Sequence, residues 1–384
     1  MGGGSEIHFD VLIIGAGMAG ASVAWRLAPD ARVAVVEMED QPGYHTTGRS
    51  AAIFTEIYGP PVMRALTSLS RHFLENPPVG FADAPLLSPR GILTFAADSQ
   101  RAKLDQMFRT YGSVPGIRKV DHTEIKALVP LLRDDAAACG LLEEHARDID
   151  VDALHQGFLR GMRKHGGAVL TGMEVTRIER TGSLWALRTT DGVITAPIVV
   201  NAAGAWADHI AAMAGAATVG IVPKRRTVVI VEPPAGVDAK AWPAVGDVDD
   251  TFYLKPESGR FLLSPADETP SAACDAQPEE LDVATCIDRV EKAFDFKIRR
   301  VENGWAGLRS FVADQAPVCG FDPQRNGFFW LAGQGGYGIQ SAPALSHLAA
   351  NLIRGDGMPP GFAVRGVARD AVSPDRFETH SPAG

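Results

Sequence analysis

Cysteine is scarce in this chain: four occur in 384 residues, Cys139, Cys274, Cys286 and Cys319, with no C-x-x-C pair and no metal-ligand spacing. A disulfide framework is therefore not expected, and the thiols read as reduced, buried side chains of a cytosolic protein. Basic charge is also short. The 37 Lys and Arg residues are outnumbered by 46 Asp and Glu, a net charge of −9, and a surface of that sign is unsuited to neutralising nucleic-acid phosphates. No acidic or basic run stands out as a tail. Long apolar runs are missing too: the first candidate near the start is interrupted by glycines, so it reads as neither signal peptide nor membrane span. A cytoplasmic location is expected, and Met1–Ser5, MGGGS, reads as an appended linker outside the fold.

What remains is an ordinary globular composition, 46% hydrophobic and 22% charged. The length exceeds what one simple core serves and suits two domains or one large composite.

The strongest local signal lies in residues 11–37, VLIIGAGMAGASVAWRLAPDARVAVVE. The apolar strand Val11–Ile14 runs into Gly15, Gly17 and Gly20, then a small-residue helix, then a second apolar strand, Val33–Val36, ending on Glu37. In such a unit the first glycine permits the turn, the second lets backbone approach a pyrophosphate, and the third lets helix press on strand. The helix aims its unpaired N–H groups and positive dipole end at the phosphates. Glu37, 22 positions after Gly15, sits where a carboxylate takes a ribose 2′-hydroxyl and disfavours a 2′-phosphate. The unit predicts a dinucleotide site.

Further along, the loop QPGYHTTGRSAAI reads as close-fitting cover. Pro60 and Pro61 open a helix that ends at Asn76-Pro77-Pro78, Gly91–Phe95 reads as a strand, and Asp121–Glu124 resembles a capping box before Ile125–Val129. An amphipathic helix begins at Asp150 and closes at Gly166-Gly167. Strands follow at Val169–Thr171, Val175–Ile178, Leu184–Arg188 and Val193–Thr195, the last two around an Asp191-Gly192 turn. Residues 198–206, IVVNAAGAW, return to nucleotide-domain texture. From Pro223 come β-like segments and a helix from about Glu279 to Phe294, read as a mostly antiparallel sheet. Phe328–Gly333 is a third apolar strand, leading through QGGYGIQ to a final helix over Pro343–Ile353.

These motifs, GAGMAG with Glu37, PGYHTTGRSAA (43–52), Tyr58-Gly59, LLSPR (86–90), DALHQGFLRG (152–161), VNAAGAW (200–206), PKRR (223–226), FYLKP (252–256), WAGLRSFVAD (305–314) and QGGYGIQ (334–340), resemble the D-amino acid oxidase superfamily of flavoproteins. The likeness spans nearly the whole chain and is nearest to the D-arginine dehydrogenase branch. It implies an α/β fold, α+β overall, in which a Rossmann-like FAD-binding domain (6–85, 140–221 and 304–384) carries a discontinuous antiparallel-sheet substrate domain (86–139 and 222–303). It also implies non-covalent FAD. The residues implied to hold the cofactor are Gly15, Ala16, Gly17, Met18, Ala19 and Gly20; Glu37 and Met38; His45, Thr47, Gly48, Arg49, Ser50, Ala51 and Ala52, with Arg49 and Ser50 as donors; and Val175 through its backbone. Asn201, Ala202, Ala203, Gly204 and Trp206 complete the set together with Arg309, Gly335, Gly336, Tyr337, Gly338, Ile339 and Gln340, the late helix N-terminus favouring the anionic reduced flavin.

A substrate carboxylate suits the planar fork of arginine. Arg226 and Arg309 lie in motifs the superfamily uses for this purpose, and both have apolar neighbours. Strand alternation puts Arg225 on the face opposite Arg226, as an outward or flavin-domain contact. Tyr58 and Tyr253 match pocket tyrosines, and Gly336 completes the catalytic set. Ile53, Thr55, Ile92 and Gln340 are assigned to the substrate side-chain pocket. Basic-substrate members of the branch carry a histidine and a glutamate where this chain has Ile53 and Ile92, so a buried guanidinium would lose its partners and a neutral, apolar or aromatic side chain is expected. Glu56 reads as a solvated acid. His155 and His209 read as packing or surface residues, and no side chain is nominated as an essential base.

The resemblance thus implies oxidation of the Cα–N bond of an amino acid, with a D-amino acid expected, to an imino acid by hydride transfer to flavin N5. The alternatives are an enzyme for glycine, sarcosine, another secondary amino acid or a 2-hydroxy acid, and a non-catalytic dinucleotide sensor. The electron acceptor, quinone, dye or O2, is left open, and a monomer is expected.

Overall fold

The computed structural model describes residues 7–377; the linker Met1–Ser5 and the outermost ends of the expected FAD-binding domain, residue 6 and residues 378–384, lie outside them. Three apolar segments read from the sequence come together as neighbours in one six-stranded sheet, ordered Ala168–Leu170, Val33–Val36, Val11–Ile14, Ile198–Asn201, Phe328–Ala332, Val318–Phe321. The first five run parallel and the last antiparallel. Parallel strands are covered on both faces, which explains why Val11–Ile14 is apolar throughout. Val11 and Ile13 face a core shared with the helices Met18–Leu27, Pro61–Glu75 and Gly338–Arg354. Leu12 and Ile14 face a second core, shared with the four-stranded sheet of Ile7–His8, Val175–Thr181, Leu184–Thr189 and Gly192–Ala196 and the helix Ala207–Met213. Full burial of a side chain such as Leu12 contributes about 1.5–3 kcal/mol.

The second large layer is an eight-stranded sheet ordered Val301–Phe311, Val222–Val231, Arg260–Ser264, Tyr253–Glu257, Ala244–Asp247, Ile92–Ala96, Cys139–Glu143, Ile117–Asp121. It is antiparallel apart from the parallel pair Ala244–Asp247 with Ile92–Ala96. The expected domain limits need moving at two places. Cys139–Glu143 and Val301–Phe311 are both strands of this sheet, so limits at 139/140 and 303/304 would cut through ladders. A small sheet of Ile53–Phe54, Arg147–Ile149 and Leu87–Pro89 lies beside it in sequence.

Two local readings also shift. Thr189 pairs with Gly192, so the hairpin turn is Thr190-Asp191 and Gly192 belongs to the ladder. The last helix starts at Gly338, with Pro343 inside it. Proline forgoes one helical bond, here to the Ile339 carbonyl, and packing against Met18–Leu27 and Pro61–Glu75 carries the helix through. Asp121 does cap its helix, accepting from the Glu124 amide at 2.9 Å, and Asp150 accepts from Ala153 at 2.8 Å. Three cysteines are buried, but Cys274 is exposed, contrary to the reading of all four as buried. Among the described residues no helix is long and apolar enough to cross a membrane.

Candidate active site

A cavity of about 340 Å³ runs between the carboxyl end of the parallel sheet and the eight-stranded sheet, where ligands of open α/β sheets bind. One end is lined by Glu37, Met38 and Val175, the middle by Gly15, Gly17, Met18, Ala19, His45, Thr47, Arg49, Ser50 and Ala51, with Ala202, Ala203, Gly204 and Trp206. The other end is lined by Gly335, Gly336, Gly338, Ile339, Arg226, Tyr253 and Arg309.

The glycine turn is braced for close approach. Gly15 has φ +102°, and a Cβ there would meet the Ala202 carbonyl oxygen at 2.5 Å. A Cβ on Gly20 would stand 1.9 Å from the Gly15 oxygen, which makes Gly20 the contact that lets helix meet turn. Glu37, buried, accepts from the Ala16 amide at 2.7 Å and the Glu39 amide at 3.1 Å; one acid thus holds the turn as well as facing the cavity. Thr47 Oγ1 accepts from the Met18 amide at 2.9 Å, satisfying one of the free amides of the helix start. Gly338 and Ile339, the first residues of the helix Gly338–Arg354, line the same cavity.

His155, read from the sequence as a packing or surface residue, packs in the interior and does not line the cavity. It is buried, with Nε2 2.8 Å from the Ala16 carbonyl, and burial pushes its pKa below the usual value. The neutral ring therefore donates from Nε2 and supports the turn from behind. His209 was read likewise, and it lines the cavity. A helical-wheel argument could not have distinguished His209 from packing.

Several residues assigned to the cofactor have partners within the protein. The Arg49 guanidinium donates to the Ala276 and Ala306 carbonyls at 2.9 Å each and pairs with Asp275 at 2.5 Å, tying the loop to the second sheet while lining the cavity. The Ser50 hydroxyl accepts from the Ala52 amide at 3.1 Å, which leaves its own proton free to donate. Asn201 is fully buried and donates to the Ala207 carbonyl at 2.7 Å, so it shapes the turn rather than lining the cavity. Ala16, Gly20, Gly48, Ala52, Tyr337 and Gln340 are likewise not among the lining residues.

At the far end, strand register does what sequence could not. Arg226 lies opposite Gly307, and Lys224 opposite Arg309; with period-two alternation Lys224, Arg226 and Arg309 share one face. Arg309 Nη1 donates to Tyr58 OH at 3.1 Å. A Cβ on Gly336 would lie 3.2 Å from three guanidinium atoms of Arg309, so the glycine lets that fork lie flat on the backbone. Tyr58 touches the site through Arg309 and does not itself line the cavity. Arg225 points the other way, but inward: it is buried and bonds Asp282 at 2.9 Å and also Glu279, at the start of the helix Glu280–Ala293. The outward or flavin-domain contact expected of it is thereby replaced.

The assigned side-chain pocket is rearranged. Ile53, Thr55 and Ile92 do not line the cavity; Ile53 pairs with Asp148 and Ile92 with Glu143. Thr55 donates from its amide to Gln340 Oε1 at 3.0 Å and from Oγ1 to Glu143 Oε2 at 2.8 Å. Glu143 is buried, and burial pushes its pKa up to about 7. Sequence reading missed it because it lies in an apolar strand with nothing local to mark it. Glu56, read as solvated, pairs with Arg71.

Residues 10–352 match the family described as DAO, FAD dependent oxidoreductase. The chain is 26% identical over 366 residues to glycine oxidase of Geobacillus kaustophilus, covering 90% of this chain and 93% of that one. It is 25% identical over 398 residues to mouse FAD-dependent oxidoreductase domain-containing protein 1, covering 90% and 81%. The crystal structure of that glycine oxidase superposes with TM-score 0.78 over 94% of this chain and 99% of the other, at 23% identity. The FAD-bound, dithionite-reduced L-α-glycerophosphate oxidase of Mycoplasma pneumoniae reaches TM-score 0.80 over 92% and 97%, at 19% identity. The glycine turn, its buttressing acid and the cavity that continues from them to a second glycine-rich helix start fit an extended flavin dinucleotide, and the chain belongs to the FAD-dependent oxidoreductase family.

Proposed function

We propose that this enzyme oxidises the Cα–N bond of an amino acid, with Arg226 and Arg309 anchoring the substrate carboxylate. The observation that carries the reading is the placement of these two guanidinium groups on one face of neighbouring strands, in the same cavity as the dinucleotide turn. Bound FAD supplies the two-electron acceptor, as cofactors carry such chemistry. The chain's own residues orient and exclude. Arg309, steadied by Tyr58 and flat on Gly336, offers a planar fork to a carboxylate. Tyr253 lines that end, and the Phe311 and Tyr337 rings pack edge to face on each other. Anchoring the carboxylate fixes the Cα–H bond, which is a positional contribution to rate. No carboxylate or imidazole is required as base when the amine arrives deprotonated, and the imino acid released is hydrolysed by water.

The finer reading is a D-amino acid, on the resemblance to the D-amino acid oxidase superfamily, with an apolar or aromatic side chain, because among the described residues no carboxylate lines the cavity beside Arg226, Tyr253 and Arg309. Glycine or an N-methyl amino acid fits the same anchor, and the likeness to glycine oxidase favours it as a second reading. FAD is held without a covalent link on this reading; Cys319 supports it by lying in the packed core, where burial pushes its thiol pKa up. We read it as a cytoplasmic monomer, with quinone, dye or O2 as the candidate acceptors. The test is anaerobic flavin bleaching with D-amino acids, L-amino acids, N-methyl amino acids and 2-hydroxy acids. Bleaching by one amino-acid class supports the reading. A flavin that none of these reduces, or that 2-hydroxy acids alone reduce, refutes it.

A further inference from the structure

The two arginines of the anchor are not equivalent. Arg309, among the described residues, has Tyr58 OH as its hydrogen-bond partner and no carboxylate within salt-bridge distance. Arg226 is already engaged: its Nη2 lies 3.2 Å from Glu268 Oε1, while its buried Nε has no acceptor. The other Glu268 oxygen takes Lys224 Nζ at 2.9 Å, so one carboxylate bridges two cations that alternate on the same face of Val222–Val231.

Glu268 is held there by its backbone neighbours. Asp267 accepts from the Thr227 amide at 2.7 Å and from the Thr227 hydroxyl at 3.0 Å. Thr269 accepts from the Arg225 amide at 2.8 Å, and the Ser271 amide donates to Pro223 at 2.9 Å. Residues 267–271 therefore run as a strap along the strand that carries Arg226, and Glu268 has little freedom to leave. Its pKa lies below the usual carboxylate value, held down by Lys224, Arg226 and Arg309 against the opposing effect of burial. Asp250, left-handed at φ +53° and exposed in the turn before Tyr253, adds acid near both guanidinium groups.

We propose that Glu268 is a specificity-determining residue: by pairing with Arg226 it leaves Arg309 as the one guanidinium of the anchor with no carboxylate partner among the described residues, and so disfavours ligands bearing a second carboxylate. A second carboxylate on the same ligand would compete with Glu268, which stands behind the cavity lining, for the Arg226 guanidinium it already holds, and an unfavourable charge pair excludes a ligand as effectively as a missing contact does. This inference rests on the proposal that Arg226 and Arg309 bind carboxylate. It goes beyond that proposal by predicting which acids are refused.

The experiment titrates FAD-loaded protein with propionate and with succinate, which differ by one carboxylate, and reads dissociation constants from the change in the flavin spectrum. The wild type binds propionate more tightly than succinate. Glu268→Gln shifts the propionate-to-succinate ratio at least tenfold toward succinate, and Glu268→Asp, which keeps the charge, stays near the wild-type ratio. Lys224→Met, which leaves Glu268 to act on Arg226 alone, keeps or sharpens the preference for propionate and serves if Glu268→Gln loads FAD poorly. An unchanged ratio in Glu268→Gln, a wild type that prefers succinate, or a Lys224→Met ratio displaced toward succinate overturns the inference while leaving the carboxylate anchor intact. If neither acid binds the wild type, the anchor itself fails and the inference falls with it.

Discussion

Replacing Glu143 by glutamine exposes a charge-burial cost that the fold carries at neutral pH. Glu143 is 4% exposed, accepts one hydrogen bond from Thr55 Oγ1, and is pushed up to about 7 from 4.5 chiefly by burial, with its hydrogen bonds and Arg71 pulling it back. A carboxyl raised in the folded state favours folding fully below the unfolded pKa. As pH climbs from about 4.5 to about 7 the unfolded chain releases this proton first, and stability falls by about 3 kcal/mol. Glutamine keeps the shape and cannot ionise. Urea denaturation midpoints of the FAD-loaded proteins, measured from pH 4.5 to 8, therefore diverge: the wild type loses stability relative to Glu143→Gln as pH rises, and the variant is the more stable protein at pH 8. Wild-type and variant curves that stay parallel across that range would refute the reasoning, because the buried carboxyl would then titrate alike in both states.

Arg309→Ala removes one fork of the proposed anchor and lowers kcat/KM by an amount equivalent to about 2–5 kcal/mol, the range for breaking a buried charge-assisted contact; steady-state kinetics with any substrate found in the bleaching panel check it. Gly20→Ala places a Cβ 1.9 Å from the Gly15 oxygen, so the helix must shift from the turn, and the protein is expected to purify with little flavin; the ratio of flavin to protein absorbance reads this directly. Glu37→Gln keeps an acceptor for one of the two amides at Ala16 and Glu39 and loses the other contact, worth about 1.5–3 kcal/mol for a hydrogen bond to a charged group, read as weaker FAD binding in reconstitution titrations.

Local backbone rules made much of the nucleotide half legible. A turn that needs φ +102° at Gly15 and contact at Gly20 leaves glycine as the workable residue, and a strand covered on both faces must be apolar along its length, so the motif and its neighbours could be read from composition and spacing. The limits of the second sheet were less legible, since strand pairing joins segments as distant as Ile92–Ala96 and Ala244–Asp247, and a parallel partner leaves no turn between them to find. The helix start at Gly338 was obscured because Pro343 usually marks an N-terminus, whereas packing here outweighed its missing hydrogen bond.

The sequence by itself determined that a dinucleotide turn exists and that Arg226 and Arg309 stand in suitable surroundings, because glycine stereochemistry and alternation act over a few residues. Only the tertiary structure decided what surrounds them. Register between Val222–Val231 and Val301–Phe311 set the two guanidinium groups on one face, a strap 42 residues away in sequence supplied Glu268, and sheet pairing buried Glu143 behind Thr55. Charges act through space in a low-dielectric interior, so their partners are fixed by folding and leave no mark in the local sequence.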